Sequence, residues 1–377
     1  MDRRLSRRGA LAIAAAGIAG CLDGSDAGTG VYDGNGEGNA SAAEEMTATP
    51  DEDSIANSPV PIRDEQLPVE YGLESLREAV VRGVVPRDAI PSIDDPEFEP
   101  IDDVGDRIRD DDPVFGVRRG TDAKAYPQAI LVHHEIVNDE VGGDPVAVTY
   151  CPLTGTAMGF DRGETTFGVS GHLLNSNLVM YDRASETYWP QMLATAIEGD
   201  LEAASLVEFP VVWTTWERWR SAHPDSVVLT EETGYARDYD ADPYGSYNPV
   251  TGYYGEDSDW MFDPLEADDG RPPKEVLLCS RPADGPLAVS LEALRERGVY
   301  GIDRGDRDYL AAYDSELDVG YLYRTDDAEA FGADDGTVIG PDGERHDPGE
   351  LLLEAVYAYD AMWFAWRGFY PSTSVHD

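Results

Sequence analysis

The chain has 377 residues, and its 75 acidic residues outnumber its 28 lysines and arginines, for a formal net charge of −47. A charge of this sign excludes a protein that binds nucleic acid through a basic face, because phosphate binding requires patches of lysine and arginine. Apolar residues make up 41% of the chain and aromatic residues 10%. This is enough for a sizeable core and excludes disorder of the whole chain.

Lysine is almost absent, since only Lys124 and Lys274 occur and the other basic residues are arginines. Acid excess with scarce lysine is typical of a protein that works in molar salt, where a Debye length of about 3 Å screens like-charge repulsion. A cation-binding or basic-partner surface in ordinary salt is the alternative, but the acid is spread along the whole chain. We therefore predict a halophilic protein, whose charge reports on the solvent rather than on the function.

Residues 1–20 predict an export signal. Four arginines precede an apolar run, residues 10–19, that is too short to span about 30 Å of hydrocarbon. Ser6-Arg7-Arg8 resembles a twin-arginine signal, and residues 18–21 (Ile-Ala-Gly-Cys) resemble a lipobox. In that pattern the chain is cut before Cys21, which then carries a lipid; an incidental thiol is the alternative. We expect an extracytoplasmic protein that contacts the outer face of the cell membrane through a lipid on Cys21.

Residues 21–62 predict a flexible acidic tether, and residues 63–377 a single globular domain. Residues 22–62 include nine acidic residues, six glycines and no basic residue. Such a segment buries too little apolar surface to offset the loss of chain entropy. The composition changes at about Arg63.

The globular part is predicted to be strand-rich. Short apolar runs separated by turn residues indicate strands at 114–117, 125–132, 135–141, 146–150, 156–160, 165–169 and 178–181. Their close spacing, without long helices between them, argues against a parallel sheet. The expected fold class is α+β, with mainly antiparallel sheet and a few helices.

Three helices are predicted. The first carries apolar residues from Leu73 to Val84 and stops at Pro86. In the second, Thr214 and Glu217 form a capping box, and the helix ends before Pro224. The third is a terminal helix over residues 351–366, with apolar and aromatic residues at a spacing of three to four.

The segment YCPLTGTAMGFDR, residues 150–162, resembles the domain-of-unknown-function 3179 family. The other matching blocks are IPSIDDPEF (90–98), VFGVRRGTDAKAYP (114–127), HHEIVND (133–139), TFGVSGHLLNSNLVMYDR (166–183), TTWERWRSAHPDSVVL (214–229), DPYGSY (242–247) and WFAWRGFYPST (363–373). The resemblance implies the domain but not a reaction, and with the N-terminal signals it suggests a haloarchaeal-type exported lipoprotein. Some members of the family resemble redox proteins and carry cysteine or selenocysteine where this chain has Thr154, which weakens the case for a two-thiol role.

Cys151 is the principal candidate for chemistry. It ends a predicted strand, and the turn that follows can surround its sulfur with backbone N–H groups, which favours the thiolate. The Thr154 hydroxyl could donate to that thiolate. The alternatives are a small buried cysteine that shapes a hairpin, and a disulfide with Cys279.

His134 is predicted to lie on a strand, with its side chain on the apolar face. It is then either a hydrogen-bonded core histidine, or a base or metal ligand beside Cys151. Cysteine, histidine and methionine together suit copper, and Met180 lies on a nearby predicted strand. Copper bound by Cys151, His134 and Met180 is therefore a hypothesis.

Three further residues are candidates for holding a ligand. Asp182 and Arg183 form either a structural ion pair or an anion site. His172 follows Gly168 and Gly171, and these glycines would let a ligand approach the backbone closely.

Two functions follow from these candidates. The first is thiol- or metal-based redox chemistry centred on Cys151. The second is a non-enzymatic binding module in which the Cys, His, Asp and Arg cluster fixes the fold or holds a small ligand.

Overall fold

The computed structural model describes residues 48–305 and 307–377. The predicted signal peptide, Cys21 and most of the predicted tether lie outside these residues. The end of that tether belongs to the folded part: a helix covers Glu52–Ala56, Val60 is buried, and Ile62 pairs with Leu206. Folded structure therefore begins before Arg63.

Six α-helices occur in the described residues. They are α1 (Glu52–Ala56), α2 (Leu73–Ala79), α3 (Gln128–His134), α4 (Trp216–Ala222), α5 (Leu291–Arg297) and α6 (Trp363–Phe369). None of these helices is both long and apolar enough to cross a membrane.

Strands make up most of the regular structure. The first half contains β1 (Phe98–Pro100), β2 (Pro113–Arg119), β3 (Asp122–Pro127), β4 (Ile136–Val141), β5 (Asp144–Cys151), β6 (Thr156–Asp161), β7 (Phe167–Leu174), β8 (Asn177–Asp182), β9 (Tyr188–Pro190), β10 (Glu208–Phe209), β11 (Val212–Thr215) and β12 (Val227–Leu229). The second half contains β13 (Gly245–Tyr247), β14 (Val250–Gly252), β15 (Val276–Ser280), β16 (Leu287–Ser290), β17 (Val299–Asp303), β18 (Asp308–Asp314), β19 (Val319–Thr325), β20 (Gly332–Asp334), β21 (Thr337–Ile339), β22 (Arg345–His346), β23 (Glu354–Val356), β24 (Tyr359–Met362) and β25 (Ser374–His376).

The sheets are small and mostly antiparallel, which confirms the predicted strand-rich α+β class. The larger ones have the strand orders β1-β12-β3-β2-β11, β10-β6-β5-β4, β24-β15-β16-β25, β17-β18-β19-β23 and β7-β8-β9. Parallel pairing joins β12 to β3 and β16 to β25. We call β10-β6-β5-β4 the central sheet, because β5 and β6 carry most of residues 150–162, which we call the signature segment. The signature turn is the part of that segment between the two strands, residues 152–155.

The largest cluster of buried apolar side chains packs the central sheet against β7-β8-β9, β24-β15-β16-β25 and α6. Cys151 and Met180 both belong to this cluster, and so do Trp363 and Trp366 of α6. The residues of the signature segment therefore lie inside the protein and not at its edge.

One predicted strand and one predicted helix have different bounds in the structure. Residues 125–132 are not one strand, since β3 ends at Pro127 and α3 begins at Gln128, so that His133 and His134 lie on a helix. A short apolar run that is buried on all sides does not distinguish a strand from a helix. The predicted terminal helix begins only at Trp363; residues before it form β23 and β24, and Leu352 is 94% exposed.

The predicted capping box is also wrong. Thr214 lies in β11, and its hydroxyl donates to the carbonyl of Leu317. Helix α4 begins at Trp216, and the side chain of Thr215 at its N-cap makes no capping hydrogen bond. Strand pairing of β11 with β2 places Thr214 in a ladder, which leaves its hydroxyl free to bond across to a neighbouring turn.

Candidate functional site

Cys151 lies at the end of β5, in register with Thr156 at the start of β6, so the signature turn is a tight hairpin. Its side chain is 1% exposed. The backbone N–H of Leu178 donates to its sulfur over 3.4 Å, and the thiol faces the carbonyl of Ser176 at 3.8 Å. Burial raises the pKa of Cys151 to about 11, and the carboxylate of Glu135 adds to this effect. The residue is therefore a thiol at neutral pH, not a thiolate.

Cys279 does not pair with Cys151. Both cysteines are buried and free, and Cys279 lies in β15 with its sulfur 3.4 Å from the carbonyl of Leu277. The disulfide considered as an alternative is not formed in this structure.

His134 is a fully hydrogen-bonded core histidine, which was one of the two predicted alternatives. Its Nδ1 lies 2.7 Å from the carbonyl oxygen of Pro91, and its Nε2 lies 2.8 Å from the hydroxyl of Tyr239. Because a carbonyl can only accept, Nδ1 carries the proton and the Tyr239 hydroxyl donates to Nε2. Burial lowers the pKa of His134 to about 4, so the ring is neutral at pH 7.

These contacts bear on the copper hypothesis. Both ring nitrogens of His134 have oxygen partners, so neither is free to bind a metal. Met180 is fully buried on β8, in register with Val169 and Trp189. The donor set proposed for copper therefore lacks an available imidazole nitrogen. Among the described residues, the His, Cys, Asp and Glu side chains that could converge on an ion are instead Asp342, Glu344 and His346, at the surface.

Thr154 belongs to a buried hydrogen-bond network. Its hydroxyl lies 2.8 Å from that of Thr156 and accepts from the side-chain amide of Asn177 over 3.1 Å. Gln191 joins the network by accepting from Thr156 and donating to Thr149. All five side chains are fully buried. Each polar group has a partner, so the network fixes the signature turn against β8.

Asp182 and Arg183 do not pair with each other. Asp182 accepts from the N–H and hydroxyl of Ser185 and from the indole N–H of Trp189. Arg183 donates to Asp88 over 3.1 Å and to the carbonyl of Phe167. The predicted ion pair is thus replaced by two separate sets of bonds, because successive residues at the end of β8 point in opposite directions.

His172 lines a pocket, but Gly171 beside it does not make room for a ligand. The backbone N–H of Gly83 donates to its Nδ1 over 3.0 Å, and its ring stacks on Tyr188 at 5.7 Å. A bulge in β7 lies between Val169 and His172, where Gly171 has φ +78°. A Cβ at Gly171 would lie 2.0 Å from the carbonyl oxygen of Val85. The glycine therefore admits a neighbouring loop rather than a ligand.

The pocket beside His172 has a volume of about 170 Å³ and mainly apolar walls. We call it the Glu135 pocket, after the one carboxyl group that lines it. Its residues are Val84, Val85, Ala89, Ile90, Val132, His133, Glu135, Leu153, Val169, Gly171, His172, Leu173, Leu178, Arg237, Pro243, Tyr244, Met261 and Phe262. Leu153 comes from the signature turn, so that turn forms part of the wall.

The backbone holds Glu135 in an unusual conformation. It lies between α3 and β4 with φ 59° and ψ −27°, in the left-handed region that costs a non-glycine residue free energy. Its N–H donates to the carbonyl of Leu131 over 2.7 Å, and its carbonyl accepts from Tyr150 over 2.8 Å. These two bonds fix the direction in which the side chain leaves the chain. Eight other non-glycine residues of the described part also have a positive φ, and at Glu135 this conformation ends α3.

The Glu135 side chain is largely buried, and its carboxyl group has no protein partner. The residue is 7% exposed; within residues 48–305 and 307–377 its carboxyl makes no hydrogen bond or ion pair, and the carboxyl oxygens keep some contact with solvent. Burial alone raises its pKa from 4.5 to about 8. At neutral pH the group is therefore mostly protonated, and it can donate a hydrogen bond into the pocket or exchange a proton there.

Polar groups of three other residues complete the pocket. Burial raises the pKa of Tyr244, with Glu135 as the next cause, which places the two groups close together. His133 has Nε2 3.0 Å from the carbonyl of Ala241, and burial lowers its pKa. Arg237 lines the same pocket and is exposed. The pocket thus combines a buried acid with hydrogen-bonding groups in an apolar enclosure.

Glu135 is not among the site residues predicted from the sequence, although it belongs to the matching block HHEIVND. The signal was present: a lone acidic residue stands between an apolar helix and an apolar strand, where a charged side chain is costly.

Comparison with known proteins gives one match. A family model described as "Protein of unknown function (DUF3179)" matches residues 87–373. No curated protein and no solved structure matches the chain.

Proposed function

Because the chain belongs to the DUF3179 family, whose description assigns no activity, we propose its function from the site itself: it binds a small organic molecule in the Glu135 pocket. The ligand has an apolar body and one polar group that shares a proton with Glu135. This corresponds to the binding-module alternative of the sequence analysis. The single observation that carries the proposal is the unpaired carboxyl of the largely buried Glu135, beside a mainly apolar pocket.

The Glu135 carboxyl makes no bond that would offset its desolvation. A buried polar group without a hydrogen bond costs free energy, and native proteins tolerate few of them. The left-handed backbone of the same residue has a separate, structural explanation, since Glu135 is the C-cap of α3. A ligand that bonds to the carboxyl would remove the cost of its desolvation when it binds.

The pocket limits the size and polarity of the ligand. A cavity of roughly 150 Å³ lined by apolar side chains accommodates benzene, so about one six-membered ring fits here. The protonated carboxyl donates a hydrogen bond, which favours a carbonyl or similar acceptor on the ligand. We therefore propose a small cyclic or branched molecule with a single carbonyl-type acceptor.

Cyclohexanone is a suitable probe, and methylenecyclohexane is its counterpart without an acceptor. Ligand-detected NMR with the folded protein at constant salt should detect cyclohexanone at about pH 6 and a weaker signal above about pH 8, where Glu135 ionises. Glu135→Gln keeps a hydrogen-bond donor and should bind cyclohexanone without this pH dependence. Methylenecyclohexane should bind more weakly and independently of pH.

Two controls make the test specific. Glu140→Gln changes an exposed glutamate of β4 and should behave as the wild type. Ala89→Phe fills the pocket from the loop before β1 and should abolish binding of both probes. Cyclohexanone binding that survives Ala89→Phe, or that is insensitive to pH in the wild type, would refute the proposal.

The thiol- or metal-based redox function is less well supported. A redox or nucleophilic cysteine needs access and a thiolate, whereas Cys151 is buried and its pKa is raised. Iodoacetamide should label Cys151 only after unfolding of the reduced protein. Rapid labelling of the native protein would revive the redox function and weaken the assignment of Cys151 to the core.

We also propose that the protein is exported, bound to the outer face of the membrane through a lipid on Cys21, and active in concentrated salt. The support is the twin-arginine and lipobox patterns, the net charge of −47 and the scarcity of lysine. Expressed in a salt-requiring host, Cys21→Ser should move from the membrane fraction to the medium. Retention of the variant in the membrane would contradict anchoring through Cys21.

A further inference from the structure

A second concave region, which shares no lining residue with the Glu135 pocket, lies between the β11 edge of one sheet and the sheet β24-β15-β16-β25. We call it the aromatic cleft; its volume is about 790 Å³. Its lining residues are Asp111, Pro113, Gly155, Trp213, Thr214, Thr215, Tyr247, Asn248, Val250, Tyr254, Glu256, Lys274, Glu275, Val276, Ser290, Leu291, Glu292, Arg295, Asp318, Asp360 and Met362.

Aromatic rings form a corner of this cleft. The rings of Trp213 and Tyr247 lie 5.5 Å apart and nearly perpendicular, at 78°. Tyr247 also stacks on Tyr254 at 4.0 Å. Trp213 and Tyr247 are only partly buried, although both pack on other aromatic side chains. The exposed parts of these two rings give the cleft an aromatic wall, and aromatic rings attract organic cations.

The charges around the corner are unbalanced. The cations that line the cleft are already engaged: Arg295 pairs with Asp318, and Lys274 donates to Ser258 and to backbone carbonyls. Glu275 pairs with Arg271. The carboxylates left over among the described residues are Asp111, Glu256, Glu292 and Asp360.

Asp360 distinguishes this cleft from the acidic surface elsewhere. It is half-buried on β24, opposite Leu278, and it also lines the smaller apolar cavity beside the cleft. Burial raises its pKa to about 7, while Arg295 opposes this effect without bonding to it. A half-buried carboxyl that makes no hydrogen bond within the described residues, in a cleft lined by aromatic rings and further carboxylates, is complementary to a positive charge.

We propose that the aromatic cleft binds an organic cation of the quaternary ammonium class. The cation's methyl groups contact Trp213 and Tyr247, and its charge is balanced by Asp360 with Glu256 and Glu292. An anionic ligand is disfavoured, because no unpaired cation lines the cleft in residues 48–305 and 307–377.

Choline and its neutral carbon isostere, dimethylbutanol, test this directly. They have the same shape and differ in charge, so calorimetry at constant potassium chloride separates the cation from its apolar body. We expect choline to bind and dimethylbutanol to bind at least about tenfold more weakly, since cation–π contacts and the carboxylates act on the charge alone. Equal binding of the two, or no binding of choline, would overturn the proposal.

Variants assign the binding to the cleft. Trp213→Leu should weaken choline binding about tenfold by removing one ring. Because this change also touches the core, the double variant Glu256→Gln/Glu292→Gln provides a second test on exposed residues. It should weaken choline binding, whereas Glu78→Gln/Glu97→Gln, which removes two exposed carboxylates outside the cleft, should not. An equal loss in both double variants would mean diffuse attraction by the acidic surface and would also overturn the proposal.

Discussion

Each edge of the central sheet carries a buried glutamate, and the two glutamates differ in whether their carboxyl groups are paired. Glu208 lies on β10 at one edge, where the guanidinium of Arg281 donates to it; the two side chains are 1% and 3% exposed. Glu135 precedes β4 at the other edge and has no partner, but faces a pocket. A buried carboxyl with a structural role is paired with a cation, as Glu208 is with Arg281. The unpaired one is the better candidate for function.

The environments of the two residues explain the difference. Arg281 also donates to the hydroxyl of Tyr359, which ties β10 to the sheet that contains β15 and β24. The Glu208 pair therefore joins two sheets. Glu135 joins nothing through its side chain, since its structural bonds are made by its backbone. The Glu135 carboxyl is therefore available to bond to a ligand.

The largest expected effect is at the paired edge. Arg281→Met leaves the Glu208 carboxyl buried and uncompensated, which should lower the free energy of unfolding by about 3–5 kcal/mol. Denaturant unfolding at constant salt measures this. The double variant Arg281→Met/Glu208→Leu should recover most of the loss. A single-variant loss of less than about 1 kcal/mol would show that the pairing matters little.

Glu135→Gln should have the opposite sign. The unfolded side chain ionises near its ordinary pKa of 4.5, whereas the folded one holds its proton up to about pH 8. Between these values the folded state binds more protons, so wild-type stability falls as pH rises through this window. At about pH 7 the variant should be more stable by roughly 3 kcal/mol, and the gain should vanish below about pH 4. A pH-independent loss of stability would mean that Glu135 is structural.

Thr154→Val tests the polar network between the two edges. Asn177 and Thr156 would lose a hydrogen-bond partner in a fully buried site, at a cost of about 1–2 kcal/mol. Thr154→Ser keeps the hydroxyl and should lose less. A larger loss for Thr154→Ser than for Thr154→Val would indicate that the methyl group of Thr154, and not its hydroxyl, holds the turn.

The smallest effect should come from an exposed pair on another sheet. Glu354 accepts from Arg324 over 2.6 Å, with side-chain exposures of 63% and 26%. Glu354→Gln should change the free energy of unfolding by no more than about 0.5 kcal/mol, because solvent and salt screen such pairs. A loss comparable to that of Arg281→Met would show that burial is not what separates the two edges.

Much of the fold, but little of the candidate site, could be predicted from the sequence. Turn residues and alternating apolar runs located β2, β4, β5, β6 and β8 closely, but the strand predicted at 165–169 covers only the first three residues of β7. The pattern failed at α3, where Ile130, Leu131 and Val132 are all buried, so no polar face reveals a helix. It failed again before α6, where apolar residues of two strands happened to follow a helical spacing.

The site depended on facts that no local pattern contains. Hydrogen bonds with the carbonyl of Pro91 and the hydroxyl of Tyr239 make His134 structural, and both partners are distant in sequence. The pocket around Glu135 is assembled from a loop before β1, from β7, and from residues near 240 and 261. Burial by such distant segments decides which polar residue is unpaired, so a single sequence pointed to Cys151 and His134 instead.

The most direct measurement is the titration of Glu135 itself. Carbon-13 NMR of side-chain carboxyls, with the resonance assigned by its absence in Glu135→Gln, gives the pKa of this group in the folded protein. We predict a value of about 8 in the ligand-free protein, together with a shift when cyclohexanone binds. A carboxyl that titrates near 4.5 and does not respond to the probe would contradict the assignment of Glu135 as the proton-sharing group of the pocket.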